Sequence, residues 1–232
     1  MNKIVFITAS SDGLGYQIAI DLALKGYIII LNGRDANKLQ EAKRKLHNEK
    51  LHFTFCCDLV SDTMINELNN FIITNNIYPD IIIHCLGGKL NNDSHLISLS
   101  TLSNSLNLNL FNAILINNYF IPIFQKTNSI QKIIHISSSA SLNGNASPCY
   151  SISKGALNVY IKNCARFYAL DNISFSGIIP NIIIHKHSDW AKKKIQDTSY
   201  YMKRINEMPL KEFATPEKIS PYICALCDID NM

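Results

Sequence analysis

Tyr150 and Lys154 stand four residues apart in Tyr150-Ser151-Ile152-Ser153-Lys154. On a helix that spacing puts both side chains on one face. A phenol and an ammonium held together can move a proton to or from an oxygen. An unperturbed tyrosine titrates at about pH 10, and a nearby ammonium favours phenolate and draws that value down. A hydroxyl able to polarise a carbonyl would complete the set. Three of them, Ser137-Ser138-Ser139, close the apolar run Ile133-Ile134-His135-Ile136 just upstream. Tyr-x-x-x-Lys alone is common by chance. It gains weight from Thr8-Ala9-Ser10-Ser11-Asp12-Gly13-Leu14-Gly15, which follows an apolar run and opens a helix-like one. Small residues there let the backbone turn sharply and approach a pyrophosphate, which then meets the free N–H groups and positive dipole end of the helix.

These residues need a scaffold, and the chain supplies one. Short Ile- and Val-rich runs predict strands over Lys3–Ile7, Tyr27–Leu31, Leu51–Phe55, Asp80–His84, Lys132–Ser137 and Ile173–Ile179. Their near-continuous apolar character fits strands covered on both faces. Helices are expected over Leu14–Lys25, Ala36–Asn48, Asp62–Asn75, Leu99–Gln125, Cys149–Leu170 and Pro216–Cys227. Strand–helix alternation predicts an α/β fold with a doubly wound, mostly parallel sheet. The whole chain, 1–232, reads as a single dinucleotide-binding and catalytic domain. The polar, basic segment 185–209, with the chain's one tryptophan, Trp190, follows the sixth strand as a lid would.

Composition excludes several classes. With 47% hydrophobic and 17% charged residues the chain is globular, not disordered. A net charge of +4 with scattered Lys and Arg leaves no nucleic-acid stripe. Seven cysteines in 232 residues do not make a disulfide scaffold, and Cys224-x-x-Cys227 lacks a second pair, so no metal is expected. No apolar stretch is long enough for a bilayer and no signal peptide is visible, which makes a cytoplasmic protein without membrane association the expectation.

The N-terminal turn resembles the T-G-x-x-x-G-x-G fingerprint of the short-chain dehydrogenase/reductase (SDR) family, with Thr8, Gly13 and Gly15 matching and Ala9 where the first glycine usually stands. The resemblance runs to about Cys227. It implies a Rossmann-type sandwich and a catalytic set of Asn109, Ser138, Tyr150 and Lys154. Ser137 or Ser139 could replace Ser138, and Asn107 or Asn112 compete with Asn109, whose implied role is to open a helix and hold a water in the proton relay. Cofactor contacts are implied at Thr8, Ser10, Ser11, Asp12, Gly13, Leu14, Gly15, Asp58, Leu59, Cys85, Leu86, Gly87, Tyr150, Lys154, Pro180 and Ile183. Asp58 would meet the adenine amine unless it caps the next helix, a task Ser61 could take. Asn181 stands where relatives carry a glycine, and its tolerance of left-handed backbone would keep the turn. His185 stands where many carry a threonine. His84 reads as a partly buried strand-end histidine rather than a catalyst.

At the end of the second strand, Gly33 replaces the acid that would bind a ribose 2′-hydroxyl, and the Arg34 guanidinium that follows suits a 2′-phosphate. This favours NADP(H) over NAD(H), although Asp12 cuts the other way. The implied activity is an NADP(H)-dependent oxidoreductase interconverting a ketone and a secondary alcohol, in the manner of 3-oxoacyl-thioester reductases. Two alternatives stand beside it: a reductase of sugar nucleotides in surface-polysaccharide biosynthesis, and a non-catalytic dinucleotide-binding regulatory or structural protein. Lid lysines Lys186, Lys192, Lys193 and Lys194 would suit a carrier protein or a diphosphate equally. The family's seventh strand has no counterpart after Asp228, an expected lack of the last strand that bears on the implied homodimer or homotetramer.

Overall fold

The computed structural model describes residues 2–229. Residues 230–232, on which the expectation of a missing last strand partly falls, lie outside the described residues. Among the described residues six strands are present: β1 (Ile4–Ile7), β2 (Ile28–Gly33), β3 (Phe53–Cys56), β4 (Ile81–His84), β5 (Gln131–Ile136) and β6 (Ile173–Ile178). They pair in the order β3-β2-β1-β4-β5-β6, every pair parallel. The helices are α1 (Gly13–Leu24), α2 (Ala36–Arg44), α3 (Met64–Asn75), α4 (Leu99–Leu106), α5 (Asn112–Phe124), α6 (Ala140–Asn143), α7 (Pro148–Tyr168), α8 (Asp189–Gln196), α9 (Thr198–Asn206) and α10 (Pro216–Asp228).

The pleat explains the two cores. Val5 and Ile7 point to one face and pack with α1, α2 and α10 through Ile18, Leu22, Leu39 and Ile223. Phe6 points to the other and packs with α3, α5 and α7 through Leu68, Phe120 and Cys164. Both faces are covered, so the strands read as apolar runs rather than alternating ones. The chain winds outward from β1 to β3, then crosses to β4 on the other side of β1. Such a switch of direction opens a crevice at the carboxyl ends of the two central strands. Thr8 ties these ends together: its Oγ1 accepts from the amides of Cys85 and Leu86 at 2.9 and 3.0 Å.

Element boundaries depart from expectation where tertiary demands override local pattern. The helix expected over Leu99–Gln125 is interrupted by a π-helical turn at Asn107–Phe111. The second helix stops at Arg44, and Asn48 turns the chain in the left-handed region at φ +59°. The lid segment holds two helices, α8 and α9, with a small core of its own around Tyr201, Met208 and Phe213. Cys224 and Cys227 are buried free thiols on α10, and no cluster of metal-ligating side chains occurs among the described residues. No helix among them is long and apolar enough to cross a membrane.

Candidate active site

A cavity of about 1070 Å³ opens over the carboxyl ends of the strands. Strand order sets its layout. Arg34 follows β2, the glycine-rich turn follows β1, Cys85 and Gly87 follow β4, Ser138 follows β5, and Pro180, Ile183 and the lid follow β6. Asp12, Gly13, Leu14, Gly15, Tyr150 and Lys154 line it as well.

The turn is built for close approach. Gly13 adopts φ +59°, and a Cβ there would stand 2.9 Å from His185 Nε2. A Cβ on Gly15 would meet the Ala9 carbonyl oxygen at 2.7 Å, so helix and strand could not pack. Ala9 itself takes φ +49°, a conformation that glycine adopts without strain. Thr8 and Ser10 are fully buried and serve the fold. Ser10 Oγ donates to the Ile7 carbonyl at 2.7 Å and accepts from the Asn32 amide at 2.9 Å. Asn32, which the sequence reading passed over, accepts from the Ala9 amide at 3.2 Å and donates to the Phe55 and Cys57 carbonyls. Its only sequence signal is a polar residue in an apolar strand.

At the far side of the turn, Ser11 lies beside Gly33, where any side chain would crowd the Ser11 hydroxyl at 3.0 Å. Arg34 is largely exposed, and its nearest carboxylate is Asp58 at 4.0 Å. Asp58 neither caps α3 nor needs Ser61 to do so: it accepts from the Val60 amide at 3.3 Å, and the α3 N-cap is Thr63. Leu59 and Leu86 turn their side chains toward the core, so neither presents a side chain to the cavity.

Of the three serines, Ser138 is the one whose hydroxyl acts on the Tyr150 phenol, favouring its ionised form, and both line the cavity. Ser137 is buried with its hydroxyl unpartnered, and Ser139 donates to Asn181 Oδ1 at 3.2 Å. Asn181 holds its turn this way, not by left-handed backbone, since its φ is not positive. Lys154 is buried, its Nζ donating to the Ile136 carbonyl at 2.8 Å and lying 6.0 Å from the Tyr150 ring centre. The expected lowering of the Tyr150 pKa does not appear. Burial pushes the phenol above its ordinary value, with the Ser138 hydroxyl pulling back. Burial also draws Lys154 down to about 8. At neutral pH the phenol is therefore a protonated donor and the lysine is mostly charged.

Asn109 sits in the π-helical turn, but its side chain is committed: Oδ1 accepts from the Gly88 amide at 2.8 Å, and Nδ2 donates to the Gly88 and Ser105 carbonyls. Asn112 stabilises the same turn by donating to the Asn107 and Leu108 carbonyls, and Asn107 lends only its carbonyl. Gly87, at φ +157°, brings the chain against this pair: a Cβ there would stand 2.8 Å from Asn109 Oδ1 and 3.0 Å from Lys154 Nζ. Asp93, also unforeseen, caps α7 from across the cleft by accepting from the Cys149 and Tyr150 amides, both at 3.0 Å. Burial pushes its carboxyl up, yet these two amides together with the Cys149 and Ser147 side chains outweigh burial and hold it below its ordinary value.

His84 is fully rather than partly buried. It stacks on His135 at 4.7 Å and hydrogen-bonds Asn117 Oδ1 at 2.8 Å, and burial draws it down to about 4. Its partners are Asn117 and His135, not a nucleophile, and it stays neutral at pH 7. The lid touches the turn through Asp12: His187 Nδ1 lies 2.7 Å from Oδ2, and His185 Nδ1 lies 3.9 Å from Oδ1. Lys192 and Lys193 line the cavity, joined by Lys89 and Arg204, which the sequence did not single out; Lys186 and Lys194 do not.

The family model described as short chain dehydrogenase matches residues 3–196. A 7alpha-hydroxysteroid dehydrogenase of Escherichia coli is 25% identical over 229 residues, covering 97% of this chain and 87% of that protein. A 3-oxoacyl-[acyl-carrier-protein] reductase of Aquifex aeolicus is 24% identical, covering 97% and 90%. Among solved structures, L-sorbose reductase from Gluconobacter frateurii, complexed with NADPH and L-sorbose, superposes with a TM-score of 0.87 at 26% identity, covering 97% of this chain and 89% of that one.

Proposed function

The chain belongs to the short-chain dehydrogenase family of oxidoreductases, and from that premise we propose that it is an NADP(H)-dependent enzyme interconverting a ketone and a secondary alcohol. The observation that carries this reading is the meeting of Ser138, Tyr150 and Lys154 on the wall of the cavity that also holds the glycine-rich turn. The residues fit a dinucleotide. Gly13 and Gly15 line the cavity in a turn too tight for side chains, α1 points its N-terminus into the cavity, and the Arg34 guanidinium stands open beside Gly33. The NADPH in the L-sorbose reductase complex supports the same preference.

When bound, the nicotinamide cofactor supplies or accepts the hydride at the carbonyl carbon. The protein does the rest. Ser138 donates a hydrogen bond to the carbonyl oxygen, and the Tyr150 O–H passes its proton to that oxygen as the alcohol forms. Lys154 holds a positive charge beside the phenolate left behind and would hold the ribose side of the cofactor. Asn109 fixes the π-helical turn and the Gly88 backbone, next to the Gly87 position against which Lys154 is packed. Burial raising Tyr150 suits donation to a ketone, because a phenolate could not donate.

A 3-oxoacyl thioester is the leading substrate, supported by the reductase of Aquifex aeolicus. The test follows NADPH absorbance with a panel of 3-oxoacyl thioesters, simple ketones, ketoses and nucleotide-linked keto sugars. Turnover by the natural chain that falls by about 10³-fold or more in Tyr150→Phe is expected, given the usual size of general-acid effects. NADPH binding without turnover of any substrate would leave a binding protein instead. Arg34→Ala should cost NADPH about 10- to 100-fold in affinity, as loss of a charge-assisted phosphate contact does, with NADH little changed.

A further inference from the structure

Beyond the reacting groups the cavity is cationic. Lys89 enters from the loop after β4, and Lys192, Lys193 and Arg204 enter from the lid. The carboxylates that line the same cavity are Asp12 and Asp189. Asp12 is engaged by His187 at 2.7 Å and Asp189 by Lys192 at 3.4 Å. Lys89 and Lys193 have no carboxylate within reach among the described residues. Arg204 is largely buried; it binds Glu207 through one terminal nitrogen at 2.7 Å, while its Nε is buried without a partner.

Lys193 is also held in place. Trp190 and Tyr200 stack with their rings 10° from parallel, and Lys193 Nζ stands 4.8 Å from the Tyr200 ring centre and 5.7 Å from that of Trp190. Such a pair of aromatic faces fixes an ammonium without neutralising it. An ammonium fixed in a cavity whose lining also carries a second unpaired lysine and a partly unsatisfied guanidinium attracts a multiply charged oxyanion more strongly than a neutral ligand. In the reading above the α1 N-terminus and Arg34 serve the dinucleotide's phosphates, and a neutral ketone has no use for these further charges.

Resting on the oxidoreductase reading above, we propose that the substrate carries a phosphoryl group remote from its carbonyl, and that Lys89, Lys193 and Arg204 bind it. The phosphoryl group can come from the carrier of an acyl thioester or from a nucleotide attached to a keto sugar. Lys186 and Lys194, outside the cavity, take no part.

The natural chain is assayed with acetoacetyl-coenzyme A against the phosphate-free acetoacetyl-N-acetylcysteamine, and with a nucleotide-linked keto sugar against the free keto sugar. At least a tenfold preference in kcat/KM for the phosphoryl-bearing member of one pair is expected, and the pair that shows it identifies the source. In Lys193→Met and Lys89→Met that ratio should fall toward one through KM, and Lys193→Arg should restore it. Equal kcat/KM for both members of each pair overturns the proposal while leaving the oxidoreductase reading intact. A second readout does not need turnover. Trp190 is the sole tryptophan, so its fluorescence in the NADPH-loaded protein reports on the lid during titration with coenzyme A or uridine diphosphate. A saturable change that weakens at least tenfold in Lys193→Met supports the site even if no substrate is reduced, which would then refute the oxidoreductase reading alone. No change with either probe refutes the site.

Discussion

Gly87→Ala should damage catalysis and stability together, whereas Gly88→Ala, one residue on, should do little. A methyl group at Gly87 would stand 2.8 Å from Asn109 Oδ1 and 3.0 Å from Lys154 Nζ, while nothing lies within 4 Å of one at Gly88. Relief requires Asn109 to move off Gly88, which loosens its hydrogen bonds to that residue's amide and carbonyl at 2.8 and 2.9 Å. At about 1 kcal/mol for each bond, with a further ~1 kcal/mol for a side chain at φ +157°, the loss is about 2–3 kcal/mol. For a chain of this size that lowers Tm by roughly 5–10 °C. The same methyl pushes on the Lys154 ammonium, and a displacement approaching ~1 Å at a catalytic group costs about 100-fold. Thermal unfolding followed by circular dichroism and kcat on a turned-over ketone measure the two effects. The reasoning fails if Gly87→Ala matches the natural chain, or if Gly88→Ala is equally impaired.

Asp93→Ala removes the α7 cap at the Cys149 and Tyr150 amides; it should cost about 1–2 kcal/mol and lower kcat more than NADPH affinity, with Asp93→Asn partly restoring both. His84 has a folded pKa of about 4 against an ordinary 6.5, and His135 is lowered in the same direction by burial and by His84. The unfolded chain therefore binds more protons in this window, and stability that is complete above pH 6.5 is lost as pH falls through 4, by about 3 kcal/mol from His84 alone. Urea midpoints across that range should fall with pH, and His84→Gln should flatten the profile. Ala9→Gly relieves a side chain at φ +49° and should raise stability by about 1 kcal/mol, read as a Tm rise of roughly 2–4 °C.

Much of the fold was legible because burial on both faces writes each strand as an apolar run. Phe6 between Val5 and Ile7 is apolar because the second face also has helices to meet. The boundaries were less so. The π-helical turn at Asn107–Phe111 exists because Asn109 and Asn112 take backbone carbonyls as partners, and asparagine in an apolar helix does not advertise which carbonyl it will reach. The grouping of Tyr150, Lys154 and Ser138 on one cavity wall could be read because their spacing is local: Tyr150 and Lys154 share one helix, and Ser138 follows the strand before it. Asp93, Lys89 and Arg204 could not, since each acts across the cleft from a loop or the lid with no periodic signal around it. Asn32 was missed for the related reason that its partners, at Ala9, Phe55 and Cys57, lie on three different segments.

Asp12 and Arg34 pull opposite ways on the cofactor question when read as letters, and the geometry separates them. A bare carboxylate in the glycine-rich turn would repel a phosphate. Asp12 is not bare: its Oδ1 accepts from the Gly13 amide at 2.7 Å and its Oδ2 meets His187 at 2.7 Å. Burial pushes this carboxyl up, and the His187 and Gly13 hydrogen bonds outweigh it, so the charge is present but directed into the protein and the lid. Arg34 has no such engagement. Its nearest carboxylate stands at 4.0 Å, both side chains are well exposed, and a pair of that kind contributes little attraction in water. A phosphate arriving beside Gly33 therefore meets a guanidinium with its donors still open, while the carboxylate that might oppose it already has its oxygens occupied. This balance is what the proposed preference for NADP(H) rests on, and it depends on the segment after β6, because His187, the residue that occupies Asp12, comes from there.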